Sequence, residues 1–147
     1  MATGNFVIYD SITGAIARMI VGNSSLAAAN TGAGEAFLSV GYSLASSEKK
    51  YVSGIGASPT LSARPSFAPG EPATIAAGAT LALDVPEHTV VTIYLVSGGE
   101  VTDTEQRPAH DGIGTLDVTV PGTAGDVVQF TCELWPYRSY SGSVDVT

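Results

Sequence analysis

The stretch DVVQFTCELW, residues 126–135, decides the fold class. Phe130, Cys132 and Leu134 alternate with the polar positions Gln129, Thr131 and Glu133. A period of two places one set of side chains on a core face and the other toward water, which is the pattern of a half-buried strand. The same alternation recurs in ATIAAGATLALDV (73–85), HTVVTIYLV (88–96), GTLDVTV (114–120) and SGSVDVT (141–147). Turn-forming clusters divide these runs: VPEH (85–88), SGGEVTDTEQRPAHDGIG (97–114) and PGTAGD (121–126). Short alternating strands spaced about 8–12 residues apart predict an antiparallel β-sandwich-like module.

Upstream the pattern is mixed. FVIYDSITGAIARMIV (6–21) holds two β-rich runs around a turn of Asp10, Ser11, Thr13 and Gly14, which predicts a hairpin. Next, Ser24 or Ser25 is expected to cap a short helix through Leu26–Ala29, closed by Asn30 and the Gly32/Gly34 pair. At about two turns such a helix needs a sheet to pack on. EAFLSV (35–40) reads as a third strand, GYSLASSEKK (41–50) as a polar connector and KYVSGI (50–55) as a short fourth strand.

Between 54 and 72 the chain carries Pro59, Pro65, Pro69 and Pro72. Proline removes a donor and restricts its predecessor, so this segment is excluded from central strands and helices. It reads as extended chain clamped down by Leu61 and Phe67. The expected organisation is an N-terminal α+β docking module at 1–56, a Pro-rich connector at 57–72 and a β-sandwich-like module at 73–147, the whole being mainly β.

Charge narrows the function. The 147 residues include 6 Lys+Arg against 14 Asp+Glu, for a net charge of −8, and 14% of residues are charged. Lys49-Lys50 is the one adjacent basic pair, so neither nucleic acid nor an anionic membrane surface is an expected partner. No apolar run approaches the roughly 20 residues of a spanning helix. The N-terminus lacks a basic region followed by an apolar run and a cleavage site, so no secretory signal is expected. Cys132 stands alone, which rules out an intrachain disulfide and leaves the fold to its core.

Catalytic and metal signatures are weak. His88 and His110 lie far apart, each in a turn, without the spacing of a metal motif. Asp103, Glu105 and Asp111 share the 97–114 loop but do not follow a calcium-loop pattern. TGAGEA (31–36) lacks the Gly-Lys-Ser/Thr ending of a phosphate loop, and no serine sits in a Gly-x-Ser-x-Gly elbow. No catalytic, cofactor or metal residues are assigned, and the chain reads as a non-enzyme. Two features suggest binding instead. CELWPYRSYSG (132–142) crowds Trp135, Tyr137, Arg138 and Tyr140, residue types that anchor protein interfaces. The competing reading has Trp135 ending a strand in the core while the tyrosines cover the sheet edge. The 97–114 loop is also longer than a hairpin needs, which suggests a binding loop.

The motifs Tyr9-Asp10-x-x-Thr13-Gly14-x-Ile16, Leu26–Ala28, Gly32-x-Gly34-Glu35-Ala36, Tyr51-Val52 and Arg64-Pro65 resemble those of small structural proteins encoded among the tail genes of tailed bacteriophages. Pro121-Gly122-Thr123 and Trp135-Pro136-Tyr137 match the second half of the same pattern. The chain departs from it in the middle, where GEPATIAAGATLALDV (70–85) and the 97–114 loop are longer. The resemblance implies a virion role without catalysis or cofactor, a chain made in the host bacterial cytoplasm and a location in the virion. It implies other virion proteins and a second copy of the chain as partners, in a tail, tail-fibre or tip-associated position. Tyr9 and Arg18 join the four C-terminal residues as interface candidates. The alternatives are a capsid decoration protein and a carbohydrate- or receptor-binding module that takes a host-surface glycan.

Overall fold

The computed structural model describes residues 3–41, 45–109 and 115–147, with the side chains of 115–117 left aside. The chain is mainly β, with 53% of its residues in strands and 4% helical. It divides into two compact units, Met1–Pro65 and Ser66–Thr147.

In the first unit, β1 (Gly4–Asp10) and β2 (Ile16–Gly22) form the N-terminal hairpin, and β3 (Glu35–Gly41) pairs with the other side of β1. Asp10 Oδ1 accepts the amides of Ile12 and Thr13, each at 2.8 Å, and so builds the hairpin turn. β1 is buried on both faces, from Phe6 through Tyr9. Its alternation explains why. Val7 and Tyr9 pack with Val52 and Leu61, which belong to β4 (Lys50–Ser53) and β5 (Thr60–Ala63). Phe6 and Ile8 point the opposite way, toward α1 (Ser24–Ala29), whose Ala27 is fully buried.

Two local details differ from expectation. The helix cap is Asn23, not Ser24 or Ser25: its side-chain oxygen accepts the Leu26 amide at 2.9 Å. The helix ends at Asn30 as expected, but with φ −99°, outside the left-handed region, and with the Asn30 side-chain amide donating to the Leu26 carbonyl, so the Gly32/Gly34 pair does not close it.

Proline does not empty the 57–72 segment of structure. Thr60–Ala63, free of proline, pairs antiparallel with β4, while Phe67 is buried in the second unit. The two halves of the expected connector therefore belong to different units.

The second unit is a β-sandwich-like body. One layer has five strands in the order β6-β12-β11-β8-β9, from Thr74–Ile75, Tyr140–Val146, Val127–Glu133, Val90–Ser97 and Glu100–Pro108. The other pairs β7 (Thr80–Asp84) with β10 (Thr115–Thr119). All pairings are antiparallel except β12 with β6. Leu81 and Leu83 of β7, Val91 and Ile93 of β8, Val128, Phe130 and Cys132 of β11, and Val144 and Val146 of β12 fill the core between the layers. Full burial of each such aliphatic or aromatic side chain contributes about 1.5–3 kcal/mol.

The run 73–85 is not one strand. A turn closed by the Ala79 amide on the Ala76 carbonyl separates β6 from β7, and places them in different layers. The long loop expected at 97–114 is mostly strand as well. Gly98 (φ 60°) and Gly99 (φ 84°) make a two-residue turn, and β9 returns along β8 as far as Pro108. Positive φ at both central residues suits the twist of a tight hairpin, and glycine adopts it freely. Residues 110–114 lie outside the described part of the chain.

Candidate functional site

The aromatic segment after β11 is partly spent inside its own unit. Trp135 is 42% exposed, beyond the end of β11 at Glu133, so it does not close a strand in the core. A turn bond from the Tyr137 amide to the Leu134 carbonyl (2.7 Å) swings the chain over. The Tyr137 ring then stacks on buried Phe67, with centroids 4.8 Å apart and planes at 29°. Tyr140 donates its hydroxyl to Glu71, and its ring lies 6.1 Å from that of Phe130. Arg138 is exposed and bridges through its backbone to Ser66. Tyr137 and Tyr140 thus fasten the Ser66–Glu71 stretch onto the sandwich, while Trp135 and Arg138 face solvent.

Of the two N-terminal candidates, Tyr9 is buried and Arg18 is exposed but engaged within its unit. Tyr9 is only 4% exposed and belongs to the core of the first unit, because β1 is covered on both faces; it cannot serve as an interface anchor. Arg18 is held by both oxygens of Glu35 at 2.8 Å and by the Asn30 carbonyl, which ties β2 to the start of β3 and the end of α1. The Arg18 hydrogen bonds are the main reason the Glu35 carboxyl lies below its ordinary value.

Among the described residues the titratable groups do not converge. His88 sits in the turn before β8 with φ 65°, and His110 and Asp111 lie outside the described residues. Asp103 and Glu105 lie on β9, where Glu105 pairs with Arg107 at 2.6 Å. Among the described residues no group of three His, Cys, Asp or Glu could hold a metal ion. Cys132 is fully buried; burial first, and then the charge of Glu71, push its thiol up to about 11. That suppresses the thiolate a nucleophile needs.

The register exposes a surface that the sequence reading passed over. Residues directly opposite one another in antiparallel strands share a face. Two rows therefore cross the outer face of the five-stranded sheet: Ser143, Gln129, Tyr94 and Thr104, then Ser141, Thr131, Thr92 and Gln106. Every member is uncharged and carries a hydroxyl or an amide. Gln106 donates to Thr92 Oγ1 across the strands at 3.2 Å. A shallow depression runs between Tyr94, Gln129, Thr131, Ser141 and Ser143. On β9 the charged residues take the other side: Asp103 and Glu105 stand opposite the inward-facing Leu95 and Ile93. The signal lies in DVVQFTCELW, whose polar set, Gln129 and Thr131, is the complement of its core set.

No family model matches the chain, and no curated protein matches it. Among solved structures the chain is similar to one titled "Biofilm associated protein - BSP domain", at 18% identity and a TM-score of 0.34. The match covers 99% of this chain and 25% of that one.

Proposed function

We propose that this chain is a non-enzymatic structural subunit of a bacteriophage virion, associated with the tail, that assembles through protein–protein contacts of its first unit. The observation that carries this reading is β2. It is the end strand of its sheet, and among the described residues no strand pairs with its outer side. An unpaired edge is a template for another chain, and proteins that must stay apart blunt it with charge, proline or a bulge. β2 runs Ile-Ala-Arg-Met-Ile-Val-Gly with no proline; it has one bulge, at Ala17, and its one charge, Arg18, is engaged by Glu35. Val21 on that strand is 68% exposed. β9, the end strand of the other large sheet, carries Glu100, Asp103, Glu105, Arg107 and Pro108. One edge is heavily guarded and the other only lightly. The sequence resemblance to tail-associated structural proteins supplies the setting.

The test is co-sedimentation. Particles purified from cells producing the phage that encodes this chain should retain it through a density gradient and a salt wash. Val21→Lys, a change at an exposed position, should lower its incorporation severalfold while the isolated chain melts normally. A chain left at the top of the gradient, with particles intact below it, would overturn the virion reading.

A further inference from the structure

We propose that the outer face of the five-stranded sheet is a binding surface for a neutral polysaccharide. This does not rest on the virion reading. Three observations point to that ligand class.

The first is the chemistry of the rows. Their Ser, Thr, Gln and Tyr side chains each offer donors and acceptors, as the hydroxyls of a sugar do. Neighbouring strands lie about 4.8 Å apart and same-face residues about 7 Å apart along a strand, so the polar groups recur at the scale of a sugar ring. The depression beside Tyr94 sets an aromatic ring among them on one of the inner strands of the sheet. Aromatic side chains bring large rigid apolar area together with a polar tip.

The second is where charge has gone. On β9 the carboxylates of Asp103 and Glu105 share the inward side with Leu95 and Ile93, while Thr104 and Gln106 take the outer rows. That reverses the usual arrangement of an exposed strand. Inward charge is one device that guards an edge, but it does not require that the outer rows of β8, β11 and β12 also be neutral. A neutral ligand escapes the desolvation cost that a charged platform would impose.

The third is the border. The row beside one side holds Asp145 with Val127, Val96 and Val101, and the row beyond the other holds Glu133 with Val90 and Pro108, so the charges that border the face are acidic, on a chain of net charge −8. These two carboxylates and the net negative charge disfavour polyanions, which separates neutral glycans from anionic polysaccharides and nucleic acid.

Affinity electrophoresis of the full chain in native gels tests this, with dextran, laminarin or galactomannan in the gel and polygalacturonate as the anionic control. Retardation in at least one neutral gel and none in polygalacturonate is expected. Tyr94→Ala should weaken it about tenfold. Ser143→Lys, at an exposed position that cannot disturb the core, should abolish it with the thermal midpoint unchanged. Trp135→Ala should leave it intact. No retardation by any neutral polymer would overturn the proposal. So would retardation that Trp135→Ala removes and Ser143→Lys does not, since the site would then lie on the aromatic segment.

Discussion

Gly142 on β12 lies directly opposite Phe130 on β11, and a Cβ at Gly142 would stand 2.5 Å from the Phe130 ring. The ring occupies the space that a side chain would fill, and Glu71 Oε1 closes it from another direction at 2.9 Å. This one residue lets the largest fully buried side chain of the core fit beneath the sheet. Gly142→Ala should therefore destabilise the second unit by about 1–3 kcal/mol through overpacking. Urea denaturation followed by the Trp135 fluorescence would show it. A change below a few tenths of a kcal/mol would mean that Phe130 can move aside.

Acid should loosen the fold through three carboxyls. Glu35 is lowered from its ordinary 4.5 chiefly by Arg18, Asp10 from 3.8 by the Thr13 and Ile12 amides, and Asp126 from 3.8 chiefly by the Thr123 amide. A folded value below the unfolded one means that stability is full above about pH 4.5 and is lost as pH falls through the lowered values. Thermal midpoints between pH 7 and pH 2 should decline on that limb. Glu35→Gln should lower the midpoint at pH 7 and flatten its acid dependence.

Base acts in the opposite sense. The Cys132 thiol rises from 9.0 to about 11, and the Tyr140 hydroxyl rises above 10.0 because it donates to Glu71. Both groups keep their proton longer in the fold than in the unfolded chain. The stability they add is full below pH 9 and is lost as pH climbs toward 11. A thiol reagent should fail to label Cys132 at pH 8 until denaturant is added. Labelling at the rate of a free thiol would contradict its burial.

The helix start gives a cheaper measurement. Asn23 supplies the acceptor for the Leu26 amide, so Asn23→Ala should cost about 0.5–2 kcal/mol and Asn23→Ser should recover most of it. Ser24→Ala, at the cap position expected from sequence, should cost less. The reverse order would restore the sequence reading of that cap.

The strands of the second unit were legible because their cores alternate strictly. Val128, Phe130 and Cys132 announce both the period and the face. What was misread involved backbone freedom or partners distant in sequence. Gly98-Gly99 is the glycine pair of a two-residue turn, yet the polar run behind it looked like loop, because an edge strand exposed on both faces has no apolar alternation to reveal it. Tyr9 looked available because a hairpin read in isolation has an open face. That face is closed by Val52 and Leu61, more than 40 residues away. Gly14 shows the same limit: a Cβ there would lie 2.0 Å from the Val52 carbonyl oxygen, a close approach that no local pattern reveals.

The two edges make the last prediction. If the charges of β9 guard its sheet, removing them should turn a silent edge into a sticky one. Asp103 and Glu105 sit above the apolar residues Ile93, Leu95, Val118 and Val128 at the open flank of the sandwich. Replacing both by valine would leave an alternating apolar strand with an unpaired rail of backbone groups, which is the pattern of edge-to-edge aggregation. The Asp103→Val/Glu105→Val variant should form concentration-dependent oligomers or precipitate, as read by light scattering. Asp103→Asn/Glu105→Gln, which removes the charge but keeps the polarity, should do so less. If the valine variant stayed as dispersed as the parent chain, the contrast between a heavily guarded β9 and a lightly guarded β2 would lose its physical basis, and with it the structural support for assembly through the first unit.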